Sequence, residues 1–239
     1  MTAQEKESLY NLLKTVSSSI DGYTSVSFKN ENPSFSDDNE IKETVTAQNI
    51  PPVQNHDFNI SSKIDSCTRC PLCRTSQTKK TGIGVSNPFV YVLLDSPNNE
   101  PMINELLTKM LSAISLNTET NCYISTVVKC HTPSNREPNG EEIASCLSFV
   151  DAEISMLKPK IIIAMGKTAA QTLLRTNLAI TDLRGEFTEY NGIPLMPTFH
   201  PKTLIVGPQF KGPAWSDLKL VKAKLLQLVP FYENTFKKN

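Results

Sequence analysis

The chain has 239 residues with 24 basic and 24 acidic side chains, and 39% of its residues are hydrophobic. That length suffices for one sizeable α/β domain with an appendage, and the composition is ordinary for a globular protein. No apolar run approaches the roughly 18 residues of a membrane span, and the N-terminus lacks the basic and apolar regions of a secretory signal. These features argue against a membrane or secreted protein, and we expect a monomer in the cytoplasm.

Residues 4–20 repeat Leu, Val and Ile at helical spacing, which predicts a short amphipathic helix within an N-terminal unit of residues 1–20. Residues 21–61 are polar and rich in Asn, Ser and Pro, so we expect a flexible linker. Residues 1–60 carry nine acidic and four basic side chains, whereas the remaining chain carries 15 acidic and 20 basic ones. The N-terminal helix could pack on its own domain or bind a protein partner. The net positive charge of the residues after 60 favours binding of a polyanion such as DNA.

The segment from 62 to 236 alternates predicted strands and helices. The predicted strands are 88–94, 122–128, 160–165 and 193–199, and the predicted helices are 102–116, 141–157, 166–174 and 213–229. This alternation is typical of a three-layer α/β/α sandwich with a mainly parallel four-stranded sheet. Ligands of such sheets bind at the carboxyl ends of the strands, so we expect the site there.

Six cysteines occur, and three of them lie in the compact segment CTRCPLC at 67–73. Cys130 follows the second predicted strand, and Cys146 lies 16 residues later on a predicted helix. Clustered cysteines in a cytosolic protein favour metal or redox chemistry over disulfides. Four thiolates from three segments could hold either zinc or a [4Fe–4S] cluster, and the spacing alone does not choose between them.

Four collinear blocks cover about residues 63–228, and they read CTRCPLCRTSQTKKTGIG, YISTVVKCHTPSNREPNGEEIASC, KPKIIIAMGKTAAQTLL and TFHPKTLIVGPQFKGPAWSDLK. Together they resemble the family 4 uracil-DNA glycosylases. The resemblance implies the fold of that family, the removal of uracil from DNA, and a [4Fe–4S] cluster. The cluster ligands that it implies are Cys67, Cys70, Cys130 and Cys146.

Two cysteines fall outside the family's pattern. Cys122 lies inside a predicted strand and is expected to be a small core residue, whereas Cys73 is either an alternative ligand or an unpaired neighbour. A cluster would order the backbone between Cys130 and Cys146, and ordered basic loops position phosphates. The candidate DNA contacts are Lys129, Arg136, Lys202 and Lys211, each of which could instead be a solvated surface charge.

Cleavage of an N-glycosidic bond in DNA requires an extruded base and stabilisation of charge on the sugar and the base. The family has an acidic residue after its first strand, and this chain has Asp95 there. Its carboxylate would assist the attack of water, although Asp95 could also cap a helix ahead of Pro97. His200 matches the histidine of the family's His-Pro motif and would stabilise the leaving base, although a His-Pro pair in a turn can be purely structural.

The chain departs from the family in the residues that hold the base. Asp95 replaces a Glu and is shorter by one methylene, the loop that carries a stacking Phe is absent, and Val206 replaces an Arg. Ser96, Pro97 and Thr126 are the expected substrate contacts, and Thr126 stands where the family has Asn. A Thr hydroxyl cannot make the paired contacts by which an amide discriminates uracil from cytosine.

Three hypotheses follow from these residues. The first is a uracil-DNA glycosylase that acts in base excision repair. The second is a catalytically degenerate relative that keeps the cluster and binds DNA or a repair or replication protein. The third is a glycosylase for another deaminated base, such as hypoxanthine.

Overall fold

The computed structural model describes residues 60–76 and 79–236, so the predicted N-terminal helix and all but the end of the predicted linker lie outside the described residues. The described helices are α1 Ile60–Asp65, α2 Leu72–Thr75, α3 Pro101–Ser112, α4 Gly140–Leu157, α5 Lys167–Leu174, α6 Ile180–Leu183, α7 Pro201–Val206 and α8 Lys211–Leu228. The strands are β1 Ile83–Gly84, β2 Val90–Leu94, β3 Cys122–Thr126, β4 Ile161–Met165, β5 Thr188–Tyr190 and β6 Ile193–Thr198. The first described helix thus begins at Ile60, slightly before the expected domain boundary.

The strands form one six-stranded sheet in the order β1-β3-β2-β4-β6-β5. The four central strands run parallel, with Val92 of β2 opposite Ile124 of β3 and Ile163 of β4. They are the four strands predicted from the sequence. The expected strand number is nevertheless wrong, because β1 and β5 add short antiparallel edges to this parallel centre.

Helices cover both faces of the sheet, which confirms the predicted three-layer arrangement. Tyr91 and Leu93 of β2 lie in one buried cluster, which also contains core residues of α1, α4 and α5. Val90 and Val92 lie in the cluster on the opposite face, with residues of α3 and α8. This alternation follows from the two-residue period of a strand, and every residue of β2 and β4 is buried because both faces are covered.

The N-terminus of α4 is closed by a capping box, which also fixes the loop that precedes it. The Asn139 side chain accepts a hydrogen bond from the Glu142 backbone N–H at 2.9 Å, and the Glu142 carboxylate accepts one from the Asn139 N–H at 2.8 Å. Glu142 also binds Arg136, so its single side chain joins the loop to the helix.

Among the described helices, none is long and apolar enough to cross a membrane.

Candidate active site and cysteine centre

A cavity of about 480 Å3 opens where the parallel strands end. Asp95 follows β2, and His200 follows β6; both line this cavity. The other lining residues are Ser96, Asn98, Asn135, Arg136, Glu137, Lys202, Thr203, Val206, Gly207, Gln209 and Phe210. The structure therefore brings the two predicted catalytic residues together at the predicted edge of the sheet.

The Asp95 carboxylate is held at the N-terminus of α5. Its Oδ1 accepts a hydrogen bond from the backbone N–H of Ala169 in the first turn of this helix, at 3.1 Å. The pKa of Asp95 is raised to about 7, mainly by burial and in part by the Glu137 charge, while the Ala169 N–H and the Lys202 charge act in the opposite direction. A carboxyl group with this pKa can exchange a proton near neutral pH.

Gly166, which follows β4, lies between the two predicted catalytic residues. Its φ is +104°, a backbone conformation that L side chains rarely adopt. A Cβ atom at this position would lie 3.1 Å from Asp95 Oδ1 and 3.1 Å from His200 Cβ. Glycine therefore allows the strand ends carrying Asp95 and His200 to approach each other.

His200 precedes α7 and caps it. Its Nδ1 accepts a hydrogen bond from the Lys202 backbone N–H at 3.1 Å, which leaves Nε2 as the protonated nitrogen of the neutral ring. Burial lowers the pKa of His200 to about 4, and the neighbouring Lys202 charge acts in the same direction. The ring is thus neutral at physiological pH and offers an Nε2–H donor.

A second cavity of about 290 Å3 adjoins the first, and Ser96, Asn98 and His200 line both. Pro97 and Thr126 contribute only to the second one, so the three predicted substrate contacts meet around it. Its apolar walls come from β2, β3 and α3 and include Leu94, Ile103, Leu107 and Ile124. The Thr126 hydroxyl donates to the Val128 carbonyl at 2.8 Å, so only its oxygen lone pairs can face a ligand.

The four predicted DNA contacts lie in three different places. Lys202 is exposed and Arg136 is held by two hydrogen bonds to Glu142, and both line the larger cavity. Lys211 lies on another surface, in a shallow depression beside α3.

The expectation for Lys129 is corrected by the structure. This side chain is 1% exposed, and its ammonium donates to the Glu153 carboxylate at 2.9 Å inside the core. A phosphate outside the domain cannot reach it.

Several residues of the larger cavity were not predicted. Asn135 and Glu137 flank Arg136 in the loop that a cluster was expected to order. Their place beside a predicted DNA contact is the sequence feature that could have indicated them. Gln209 and Phe210 carried no signal, because they reach the cavity only through the turn after α7. The Phe210 ring packs against Phe199, with 4.8 Å between the ring centroids.

The four predicted ligand cysteines converge on one side of the sheet. Cys70, Cys130 and Cys146 are buried in the same core cluster, and Cys67 packs against it. Burial raises the pKa of the Cys130 thiol to about 11, and the other three sulfurs act on it in the same direction. Lys79 stabilises the cysteine-containing segment before α2, because its ammonium donates a hydrogen bond to the Cys67 carbonyl at 2.8 Å.

The remaining two cysteines differ in their surroundings. Cys122 is fully buried in β3, and burial raises the pKa of its thiol to about 12, which confirms a core residue. Cys73 is half-buried and packs against the core cluster that contains Cys70, Cys130 and Cys146, so its two expected roles, alternative ligand or unpaired neighbour, both stay predictions.

The chemistry of this set suits a metal centre built from thiolates. The six cysteines are all free thiols, and four of them are close enough to influence one another electrostatically. Within residues 60–76 and 79–236, no three His, Cys, Asp or Glu side chains form a group that could hold a metal ion. Four thiols within electrostatic reach of one another supply the donor type that both a [4Fe–4S] cluster and a zinc ion take.

Comparison with known proteins identifies the family to which this chain is similar. The sequence profile of the Uracil DNA glycosylase superfamily matches residues 79–219. The Type-4 uracil-DNA glycosylase of Thermotoga maritima is 32% identical over 157 residues, which are 61% of this chain and 81% of that protein. Those of Archaeoglobus fulgidus and Pyrobaculum aerophilum are 28% and 30% identical, over 68% and 66% of this chain and 89% and 88% of their own length.

Proposed function

This chain belongs to the uracil-DNA glycosylase superfamily, and from that membership we propose that it hydrolyses the N-glycosidic bond between uracil and deoxyribose in DNA. Such a DNA N-glycosylase acts in base excision repair. The observation that carries the proposal is the meeting of Asp95 and His200 across Gly166 at the mouth of two joined cavities.

The two cavities divide the extruded nucleotide between them. The base enters the smaller cavity, between Pro97 and the apolar walls, while the sugar stays beside Asp95 in the larger one. His200 lines both cavities and therefore lies beside the bond that joins base to sugar. Lys202 and Arg136 at the larger cavity supply positive charge for the flanking phosphates.

The two catalytic groups have different tasks. The ionised Asp95 carboxylate orients a water molecule, favours the cationic sugar, and takes a proton as the water oxygen bonds to the anomeric carbon. The electron pair of the glycosidic bond leaves with the base. The Nε2–H of the neutral His200 donates to a carbonyl oxygen of that anion and stabilises it, because a preorganised donor in a buried site is effective there.

The cofactor proposed for the cysteine centre is a [4Fe–4S] cluster held by Cys67, Cys70, Cys130 and Cys146. When bound, it would cross-link the segment before α2, the end of β3 and α4 through iron–thiolate bonds. The residues between Cys130 and Cys146 include Asn135, Arg136 and Glu137 of the larger cavity. A fixed backbone in this segment holds these side chains at the DNA-facing edge.

A wider range of bases is the second candidate, and the open second cavity favours it. Thr126 can only accept a hydrogen bond, and both uracil and hypoxanthine carry a ring N–H that could donate to it. The walls around Ile103 and Leu107 are apolar and do not select one base by hydrogen bonding.

The test is a base-release assay on oligonucleotides that contain uracil, hypoxanthine or no damaged base, followed by alkali to cut abasic sites. We expect cleavage at uracil, and a fall of about 10²–10⁴-fold in rate for Asp95→Asn. Asparagine keeps an oxygen for the Ala169 N–H, so this variant retains the local hydrogen bond. Asp182→Asn, at an exposed position of α6, is the matched control and should keep full activity.

Each outcome decides between the hypotheses. Cleavage at uracil alone supports the first function, and cleavage at hypoxanthine as well supports the wider range. Absence of abasic sites in every substrate contradicts the proposed function and supports the degenerate relative. A brown preparation with bound iron supports the cluster, whereas zinc in a colourless one contradicts it.

A further inference from the structure

Lys129 and Glu153 form a buried ion pair that the proposed chemistry does not use. Their side chains are 2% and 1% exposed, and Nζ lies 2.9 Å from Glu153 Oε2. Tyr91 and Ser125 also donate to Oε2, at 2.6 and 2.7 Å. We call these four residues the Lys129 network.

The ammonium also fixes the end of β3. It donates to the Ser125 hydroxyl at 2.6 Å and to the Thr126 carbonyl at 2.9 Å, so the Lys129 side chain folds back over the strand that precedes it. Thr126 lines the smaller cavity together with His200, as do Ile124 and Ser125 of the same strand. The turn is joined to the catalytic strand as well, because the Val128 N–H donates to the Asp95 carbonyl at 3.2 Å.

The same residue lies beside the cysteine centre. Lys129 directly precedes Cys130 in the chain, and it lies close enough to Cys146 for the two side chains to interact electrostatically. Glu153 lies two turns after Cys146 on α4. One residue thus contacts the wall of the base cavity through its side chain and adjoins the cysteine centre in the chain.

Fold stabilisation alone does not explain this arrangement. A buried ion pair adds little stability compared with apolar residues of the same volume, because both charges lose their hydration. In the described part of the chain, Glu153 Oε1 even remains buried without a hydrogen-bond partner. An ammonium offers something that an apolar side chain does not, namely three directed donors that fix a backbone carbonyl.

We propose that Lys129 is a positioning residue that holds the base-contacting end of β3 in a fixed relation to the cysteine centre. The inference rests on the proposed function, since it concerns the cavity that receives the base. Lys129 acts through Thr126 and does not touch the substrate. Removal of the ammonium therefore loosens Thr126 and weakens binding of the base, while Asp95 and His200 keep their chemistry.

The test replaces the pair by apolar residues in a matched background. Tyr91→Phe removes one donor to Glu153 without touching Thr126, and it should keep the wild-type KM and kcat. In that background, Lys129→Met together with Glu153→Met leaves no unpaired buried charge, so the protein should fold. Kinetics are measured on single-stranded uracil DNA, which needs no unpairing, alongside thermal unfolding and the visible absorbance of the cysteine centre.

We expect a KM about tenfold higher than in the Tyr91→Phe background, a kcat that changes much less, and unchanged absorbance. A folded, coloured variant with the background KM would overturn the proposal and leave the pair a purely structural one. Wild-type protein that releases no uracil would contradict the proposed function itself, and this inference would fall with it.

A milder variant decides the matter if the apolar one does not fold. Ser125→Ala removes one of the three acceptors that hold the ammonium and changes no charge. Its KM should rise about threefold, as expected for one lost hydrogen bond, and Ile154→Val, a core truncation on α4 outside the network, should leave KM unchanged. A Ser125→Ala protein with unchanged KM overturns the proposal.

Discussion

The strand-end cavity and the Lys129 network both contain a buried carboxylate, but the two carboxylates differ in how many hydrogen bonds they accept. Within the described residues, the Asp95 side chain has one hydrogen bond, from the Ala169 N–H, and burial raises its pKa to about 7. Glu153 receives three hydrogen bonds at a single oxygen, including one from an ammonium. A buried charge with many partners fixes structure, whereas one with few partners titrates near neutrality and becomes available for chemistry.

The largest effect that tests this contrast is expected in the network. Glu153→Gln leaves the Lys129 ammonium buried without its counter-ion, and we expect the free energy of unfolding to fall by roughly 3 kcal/mol. Denaturant unfolding measures it. Glu189→Gln, at an exposed position of β5, is the control and should change stability little. Equal stability of the two variants would show that the buried pair is not what distinguishes this region.

In the cavity, by contrast, we expect removal of the Asp95 charge to raise the stability of the protein. The pKa of Asp95 rises from 3.8 in the unfolded chain to about 7 in the folded one, so ionised Asp95 opposes folding above pH 7. Asp95→Asn removes this penalty and should stabilise the protein at pH 8 by roughly 2 kcal/mol, allowing for partial solvent access. Below about pH 3 the carboxyl group is protonated in both states, and the gain should vanish. A variant that is less stable than the wild type at pH 8 would contradict the contrast.

The smallest effect is the pH dependence of uracil release. Asp95 acts in its ionised form, so kcat/KM should fall as the pH drops through about 7, approaching tenfold per pH unit. His200 has a pKa of about 4 and therefore stays neutral between pH 5 and 8. It adds no further change in kcat/KM within this pH range. Rate measurements on single-stranded substrate separate these groups from DNA pairing. A profile that is flat from pH 5 to 8 would exclude Asp95 as the base.

Much of the fold could be predicted because its central strands are buried on both faces. A strand such as β4 is apolar at every position, and its boundaries differ from the prediction by one residue. The edge strands were missed because β1 has only two residues and both are exposed. The hairpin between β5 and β6 did carry a signal, the pair Asn191–Gly192, whose positive φ values of 50° and 76° suit a tight turn.

The site could be predicted as far as strand ends determine it. Asp95 directly follows β2 and His200 lies two residues after β6, so the topology brings them together. Lys129 was misplaced because its sequence position does not reveal that its side chain folds back onto Glu153, 24 residues away. Gln209 and Phe210 depend on a turn whose path no local pattern specifies.

Asp95 and His200 are separated by 105 residues, and only the parallel strands between them bring them together. Parallel pairing must close long loops before its contacts form, and it is therefore slow. A chain that has formed its helices but not yet aligned β2, β4 and β6 carries both groups yet has no place where they meet. Recovery of base release during refolding therefore reports the moment when the sheet is complete.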